Sequence, residues 1–157
     1  MAVMWFPYEP IALNGTPPPN LPPTATSRLR PLMPVRVVGP TGDWRDFPLA
    51  VLDSGADDTV FPMVLVKSLG IKLRPLTGHG VRWRGQLHTL RFGDVELEIA
   101  AGGIVWRWPA VVGFSPAPIR YPILGQAGFL QFMDARFLGA DLAIELEANR
   151  TYLGTQS

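Results

Sequence analysis

The stretch Leu52-Asp53-Ser54-Gly55-Ala56-Asp57-Asp58-Thr59-Val60 decides the fold of this chain. It follows an apolar run, residues 49–52, that is typical of a buried strand. A carboxylate, a small hydroxyl and a glycine then stand where that strand must turn. An Asp-Ser-Gly triplet alone is typical of ordinary turns, but a carboxylate at the end of a buried strand costs free energy. The context therefore indicates a functional site.

A second apolar element stands further along the chain. It is Ile123-Leu124-Gly125, and Gly128-Phe129-Leu130 follows it. Together with residues 53–60, it resembles the retroviral-type (retropepsin-like) aspartic peptidases, which have an Asp-Thr/Ser-Gly-Ala loop and a later apolar-apolar-Gly element before a short helix. The resemblance implies a mainly β, retropepsin-like acid protease fold with a flap hairpin and one or two short helices, active as a two-fold dimer.

The resemblance also assigns roles to residues. It implies that Asp53 is the catalytic carboxylate, that the Ser54 hydroxyl ties two active-site loops together, and that Gly55 lies against the substrate backbone. Ala56 has no hydroxyl where pepsin-like enzymes have Ser or Thr, so we expect activity to extend to less acidic pH than theirs. The substrate-binding residues implied are Asp57, Asp58, Gly78, His79, Gly80, Val81, Arg82, Trp83, Ile123 and Leu124.

The chain contains a single Asp-Ser-Gly triplet. Aspartic peptidase chemistry needs two carboxylates that share one proton and hold a water between them. A chain with one triplet must obtain the second carboxylate from another copy, which predicts a homodimer with Asp53 of each subunit at the two-fold axis.

Residues 77–86 form a glycine-punctuated stretch between apolar segments. The family has its flap here, a mobile hairpin that closes over the bound peptide, and glycine supplies the backbone freedom for such a lid. An ordinary surface hairpin is the alternative.

One departure from the viral pattern concerns Asp57. In the viral enzymes an Arg follows the second element and pairs with the first Asp after Ala, whereas this chain has Gln126-Ala127 there. Asp57 would lose a bidentate ionic partner, so either another arginine replaces it or this corner is built differently. Arg120 and Arg136 are the two candidates.

Composition excludes several other classes of protein. The 157 residues fit one domain, and the lack of cysteine excludes disulfides and thiolate metal sites. With His79 and His88 as the only histidines, a Ser-His pair or a multi-histidine metal centre is disfavoured, and no cofactor is expected. The net charge of +1 gives no general attraction to nucleic acid or membrane. The chain lacks the pattern of a signal peptide, so we expect a cytoplasmic protein.

The prolines divide the chain into two parts. Residues 1–33 are proline-rich, and we expect them to be a leader or packing arm in extended, polyproline-like conformation, with a ligand for a proline-recognising partner or a self-cleaved pro-segment as alternatives. Residues 34–157 would form the peptidase domain. Its predicted elements are strands at 35–38, 44–52 and 104–113, helices at 62–69 and 128–133, a hairpin of 87–92 and 95–99 around Gly93-Asp94, and a closing hairpin of 140–146 and 151–153.

Two other functions are compatible with these residues. The first is a catalytically silent module that binds peptides or dimerises with the same fold. The second, weaker one is a nucleic-acid binder that uses residues 82–84 and 106–108, where arginine and tryptophan alternate. The peptidase is our preferred interpretation.

Overall fold

The computed structural model describes residues 2–76 and 80–157, with the backbone alone at residues 80, 81 and 83. The chain is mainly β, with 53% of residues in strands and 3% in helix. A single five-residue helix, α1, spans Val64–Ser68 among the described residues. The strands are Val3–Pro7 (β1), Glu9–Ala12 (β2), Ser27–Arg30 (β3), Leu32–Val38 (β4), Trp44–Leu52 (β5), Val60–Pro62 (β6), Gly80–Trp83 (β7), Gln86–Thr89 (β8), Arg91–Ala101 (β9), Ile104–Ser115 (β10), Ile123–Leu124 (β11), Met133–Leu138 (β12), Ala143–Ala148 (β13) and Thr155–Gln156 (β14).

Six of these strands close into a barrel. Their order is β10-β6-β11-β5-β4-β9, and β9 returns to pair with β10 along its whole length. The short strand β11 lies between β5 and β6, parallel to β5 and antiparallel to β6. The Asp-Ser-Gly motif at residues 53–55 lies in the connection from β5 to β6, so β11 separates the two strands that this connection joins.

The barrel core follows from alternation along its strands. In β9, Val95, Leu97 and Ile99 are buried as their alternation predicts, while Glu96 and Glu98 face outward to Arg107. Trp106 and Trp108 of β10 lie on one side of the pleat as predicted, and both are buried. Both belong to the hydrophobic core, where the Trp108 ring packs edge-on against Phe129 and Tyr152.

The helix α1 caps one end of the barrel. A Cβ on Gly39, in the turn between β4 and β5, would lie 2.4 Å from the Leu69 carbonyl oxygen, so the backbone after α1 packs directly on that turn. The β4–β5 turn is at the opposite end of β5 from Asp53. The predicted helix at 62–69 is therefore present in shortened form, away from the motif.

The first strand is part of a separate three-stranded sheet with the order β1-β13-β12. Met4 and Phe6 of β1 are buried in the main core, which ties residues 3–7 to the folded domain. The prolines of the following segment form β-turns rather than an extended polyproline stretch, since Leu21 N–H donates to the Pro18 carbonyl and Ala25 N–H to the Pro22 carbonyl.

Three local predictions are wrong. Gly93 and Asp94 do not form a turn but are the third and fourth residues of β9, where a Cβ on Gly93 would lie 2.8 Å from the Ile71 side chain. Residues 128–132 form turns rather than a helix, with Gly128 at φ +91°. The closing hairpin is absent, because β13 pairs with β1 and β12.

Candidate active site

Asp53 stands at the exposed end of a buried strand. Leu52 is 2% exposed, whereas the next residue, Asp53, is exposed. The Asp53 N–H donates to the Leu124 carbonyl at 3.0 Å, and its carboxylate Oδ1 accepts the Gly55 N–H at 2.9 Å. The backbone thus fixes the carboxylate at the surface, where solvent, a ligand or another chain can reach it.

Gly125 allows the second element to pack beneath the motif. A Cβ at this buried position would lie 2.3 Å from the Asp58 carbonyl oxygen and 2.7 Å from that of Ala56. Any side chain larger than hydrogen would therefore push the motif away from β11. The Gly125 N–H donates to Thr59 Oγ1 at 3.2 Å, and Thr59 is fully buried. A buried hydroxyl is thus used to join the two elements.

Gln126 makes two contacts with the motif. Its N–H donates to the Ala56 carbonyl at 2.9 Å, and its side-chain Nε2 donates to the Ser54 carbonyl at 2.8 Å. This residue stands where the viral enzymes have arginine. In this chain it holds the backbone of the Asp-Ser-Gly turn directly.

Of the two alternatives for the missing arginine, the structure favours a corner that is built differently, since no other arginine pairs with Asp57 among the described residues. Arg136 pairs with Glu145 at 3.1 Å, and the Arg120 guanidinium lies 5.2 Å from the Tyr121 ring centroid. The Asp57 side chain is exposed and makes no ion pair within that part of the chain, while its carbonyl accepts the Ala127 N–H. Water can solvate this carboxylate, so it needs no cationic partner.

The predicted flap region contains a hairpin. Strands β7 and β8 pair with each other, and Arg84 and Gly85 connect them at φ 48° and 79°. Positive φ at both positions is typical of a two-residue type I′ turn, which matches the twist of the strands. The Arg82 side chain is exposed. The structure describes the backbone but not the side chains of Val81 and Trp83, and it does not describe Gly78 or His79.

The segment leading into this hairpin is attached to the barrel through Arg74. Its N–H donates to the Phe92 carbonyl at 2.7 Å, and its guanidinium binds Asp94 at 2.6 Å and 3.1 Å. The hydrogen bond from Arg74 holds the pKa of the Asp94 carboxyl below its ordinary value. This ion pair therefore joins the chain at Arg74, which precedes the hairpin in sequence, to β9.

The other residues predicted to bind substrate or to form the active-site loop differ in their exposure to solvent. Ile123 is half-buried, and Leu124 is fully buried in the core, so Leu124 offers the site its carbonyl rather than its side chain. Ser54 is exposed and Asp58 is half-buried. Sequence analysis assigned no role to Thr59 or Gly125, although both lie inside the two quoted motifs.

Comparison of the chain with protein-family models, with curated proteins and with solved structures gave no match. The described residues contain no cluster of three or more His, Asp or Glu side chains placed to hold a metal ion. In the same residues, no helix is both long and apolar enough to span a membrane.

Proposed function

We propose that the chain is a retropepsin-like aspartic endopeptidase that acts as a homodimer. The observation that carries this proposal is the Asp53 carboxylate, exposed at the end of a buried strand and oriented by the Gly55 N–H. A turn held by β11, Gly125 and Gln126 presents it outward. A second copy can therefore bring its own Asp53 to the same place, as a chain with one motif requires.

The paired carboxylates would carry out the chemistry with one water. Repulsion between two adjacent carboxylates favours a pair that shares one proton. The charged carboxylate takes a proton from the water as the water oxygen attacks the scissile carbonyl carbon. The protonated partner donates a hydrogen bond to the developing oxyanion, and the amine leaves after protonation.

The substrate would be an extended peptide between the paired loops and the hairpin β7–β8. A peptide in extended conformation offers its backbone N–H and C=O groups to loops and strand edges on both sides. Gly55 adds no side-chain bulk beside Asp53, which permits close approach of a peptide backbone. The hairpin β7–β8 forms a two-stranded sheet separate from the barrel, so it can move as a lid.

A silent peptide-binding or dimerisation module is the second candidate. The observation in its favour is Asp57, which lacks within the described residues the arginine partner of the viral enzymes. The nucleic-acid interpretation is weakened, because the buried rings of Trp106 and Trp108 cannot stack on bases.

A peptide library tests the proposal. The purified chain is incubated with the library from acidic to neutral pH, beside Asp53→Asn and the matched control Asp141→Asn, which changes an exposed carboxylate outside the motif. The proposal predicts cleavage by the parent and by Asp141→Asn, and none by Asp53→Asn. A parent that is dimeric, binds peptides and leaves them intact supports the silent module instead.

A further inference from the structure

The segment from Glu9 to Arg30 forms an arm that the proposed activity does not use. Strands β2 and β3 pair with each other in four rows and, among the described residues, with no other strand. No residue between 9 and 30 is buried. An isolated two-stranded hairpin is at best marginally stable in water, so a hairpin of this kind gains stability from a partner surface.

One face of this hairpin is mostly apolar and exposed. Pro10 lies opposite Leu29 in the strand register, and Ala12 lies on the same face opposite Ser27. All four are exposed, Leu29 to 44%. The other face carries Glu9, Ile11, Arg28 and Arg30, of which Arg28 is exposed and the rest are half-buried. The mostly apolar face therefore points to solvent, as expected of a surface that another molecule covers.

The base of the hairpin lies beside the active-site turn. The carbonyl of Pro31, the residue after β3, accepts the Leu52 N–H at 3.1 Å, one residue before Asp53. Because β4 runs antiparallel to β5, the chain before β4 continues past the end of the barrel that carries Asp53. The Arg30 guanidinium lies 5.9 Å from the Tyr121 ring centroid, close to the start of β11.

Beyond its paired rows the arm has a defined shape. Pro19 and Pro23 each occupy the second position of a hydrogen-bonded turn, where proline is favoured. Arg28 Nη2 also donates to Asn20 Oδ1 at 3.3 Å, which connects the tip to β3. Four paired rows alone extend about 13 Å, at about 3.3 Å for each residue.

We propose that this hairpin, residues 9–30, is an intersubunit clasp whose exposed apolar face of Pro10, Ala12 and Leu29 packs on a second copy of the chain. The inference rests on the dimer of the proposed function. That dimer puts the second copy against the Asp53 end of the barrel, which is where the hairpin emerges. The position of the hairpin therefore indicates that its partner is a second copy of the same chain.

Sedimentation velocity over a range of concentrations tests the clasp. Leu29→Asp is compared with the parent and with Val64→Asp, an equally drastic change at an exposed position of α1, at the opposite end of the barrel. The clasp predicts a dimer dissociation constant raised about tenfold or more by Leu29→Asp, because each dimer loses two buried leucines. It predicts the parental constant for Val64→Asp.

Cross-linking provides a second readout that does not depend on a destabilising charge. The chain has no cysteine, so a thiol-reactive photo-cross-linker attaches only to the cysteine that is introduced in Leu29→Cys or in Val64→Cys. The clasp predicts covalent dimers from the label at position 29 and none from that at position 64.

The outcomes separate the clasp from the peptidase. A parental dissociation constant for Leu29→Asp, or sedimenting dimers that position 29 fails to cross-link, would overturn the clasp alone. A dimer that depends on Leu29 but cleaves no peptide would support the clasp and reject the peptidase. A parent that stays monomeric at every concentration would overturn both.

Discussion

Replacing Gly125 with alanine tests whether the packing of β11 holds the Asp-Ser-Gly turn in place. The added Cβ would lie 2.3 Å from the Asp58 carbonyl oxygen, whereas ordinary contact begins at 3.4 Å. The overlap of about 1 Å is with backbone atoms, which cannot rotate away as a side chain can. The motif would have to move off β11, and Asp53 would move with it.

Two contributions give an estimate of how much Gly125→Ala lowers the free energy of unfolding. Overpacking a closely packed site costs about 1–3 kcal/mol, and more where backbone must shift. Separation from Thr59 would leave the buried Gly125 N–H without its acceptor, which costs about 1–3 kcal/mol. We therefore expect Gly125→Ala to lose about 3 kcal/mol or more of unfolding free energy, a large share of the total of a typical domain.

Urea denaturation measures this loss, and Gly139→Ala is the matched control. Gly139 is exposed, and a Cβ there would meet no atom within 4 Å. We expect Gly139→Ala to unfold at nearly the parental urea concentration and Gly125→Ala at a much lower one. Equal midpoints for the two variants would refute the proposed packing of β11 against the motif.

Three further changes test single contacts. Thr59→Val keeps the side-chain shape but removes the acceptor of a buried N–H, so it should lower the unfolding free energy by about 1–3 kcal/mol in urea. Gln126→Glu removes the N–H that holds the Ser54 carbonyl and should lower kcat/KM for peptide cleavage about tenfold, at a nearly unchanged urea midpoint because the side chain is exposed. Asp46→Asn should cost at most about 1 kcal/mol at neutral pH, because its ion pair with Arg36 is largely exposed. A hydrogen bond from Arg36 lowers the pKa of Asp46, so the stability that the pair adds is present above the ordinary carboxyl pKa and disappears as pH falls through the lowered one.

Each change has a control. Thr59→Ser keeps the acceptor oxygen and loses only a buried methyl group, so it should be more stable than Thr59→Val. A Thr59→Val variant clearly more stable than Thr59→Ser would contradict the role of the hydroxyl. Gln156→Glu changes an exposed glutamine of β14 and should leave kcat/KM unchanged. For Asp46→Asn, a stability difference from the parent that is as large in acid as at neutral pH would contradict the ion-pair account.

The Asp-Ser-Gly motif and the strands near it could be predicted because the sequence patterns that indicate them involve only neighbouring residues. The strand predicted at residues 44–52 matches β5, and strict alternation predicts the inward face of β9. The role of Thr59 depends on Gly125, far along the chain, so the sequence offered no periodicity or spacing from which to infer the contact.

The wrong predictions also concern contacts between residues that are far apart in the sequence. The pair Gly93-Asp94 predicts a turn, but residue 93 is glycine because Ile71 and Phe114 pack closely against its backbone. The predicted partner of β13 was residues 151–153, whereas its partners are β12, which precedes it, and β1 at the other end of the chain. Such long-range pairing depends on the whole fold and leaves little local signal.

The central claim is that two copies of Asp53 form one active site, and mixing subunits tests it most directly. Parent and Asp53→Asn chains are mixed in equal amounts at constant total concentration, allowed to exchange, and assayed for peptide cleavage. If both carboxylates are required, only dimers of two parent chains are active, and the rate falls to about a quarter of that of the pure parent. A fall to about one half would contradict the claim, because it would show that each chain works independently of its partner.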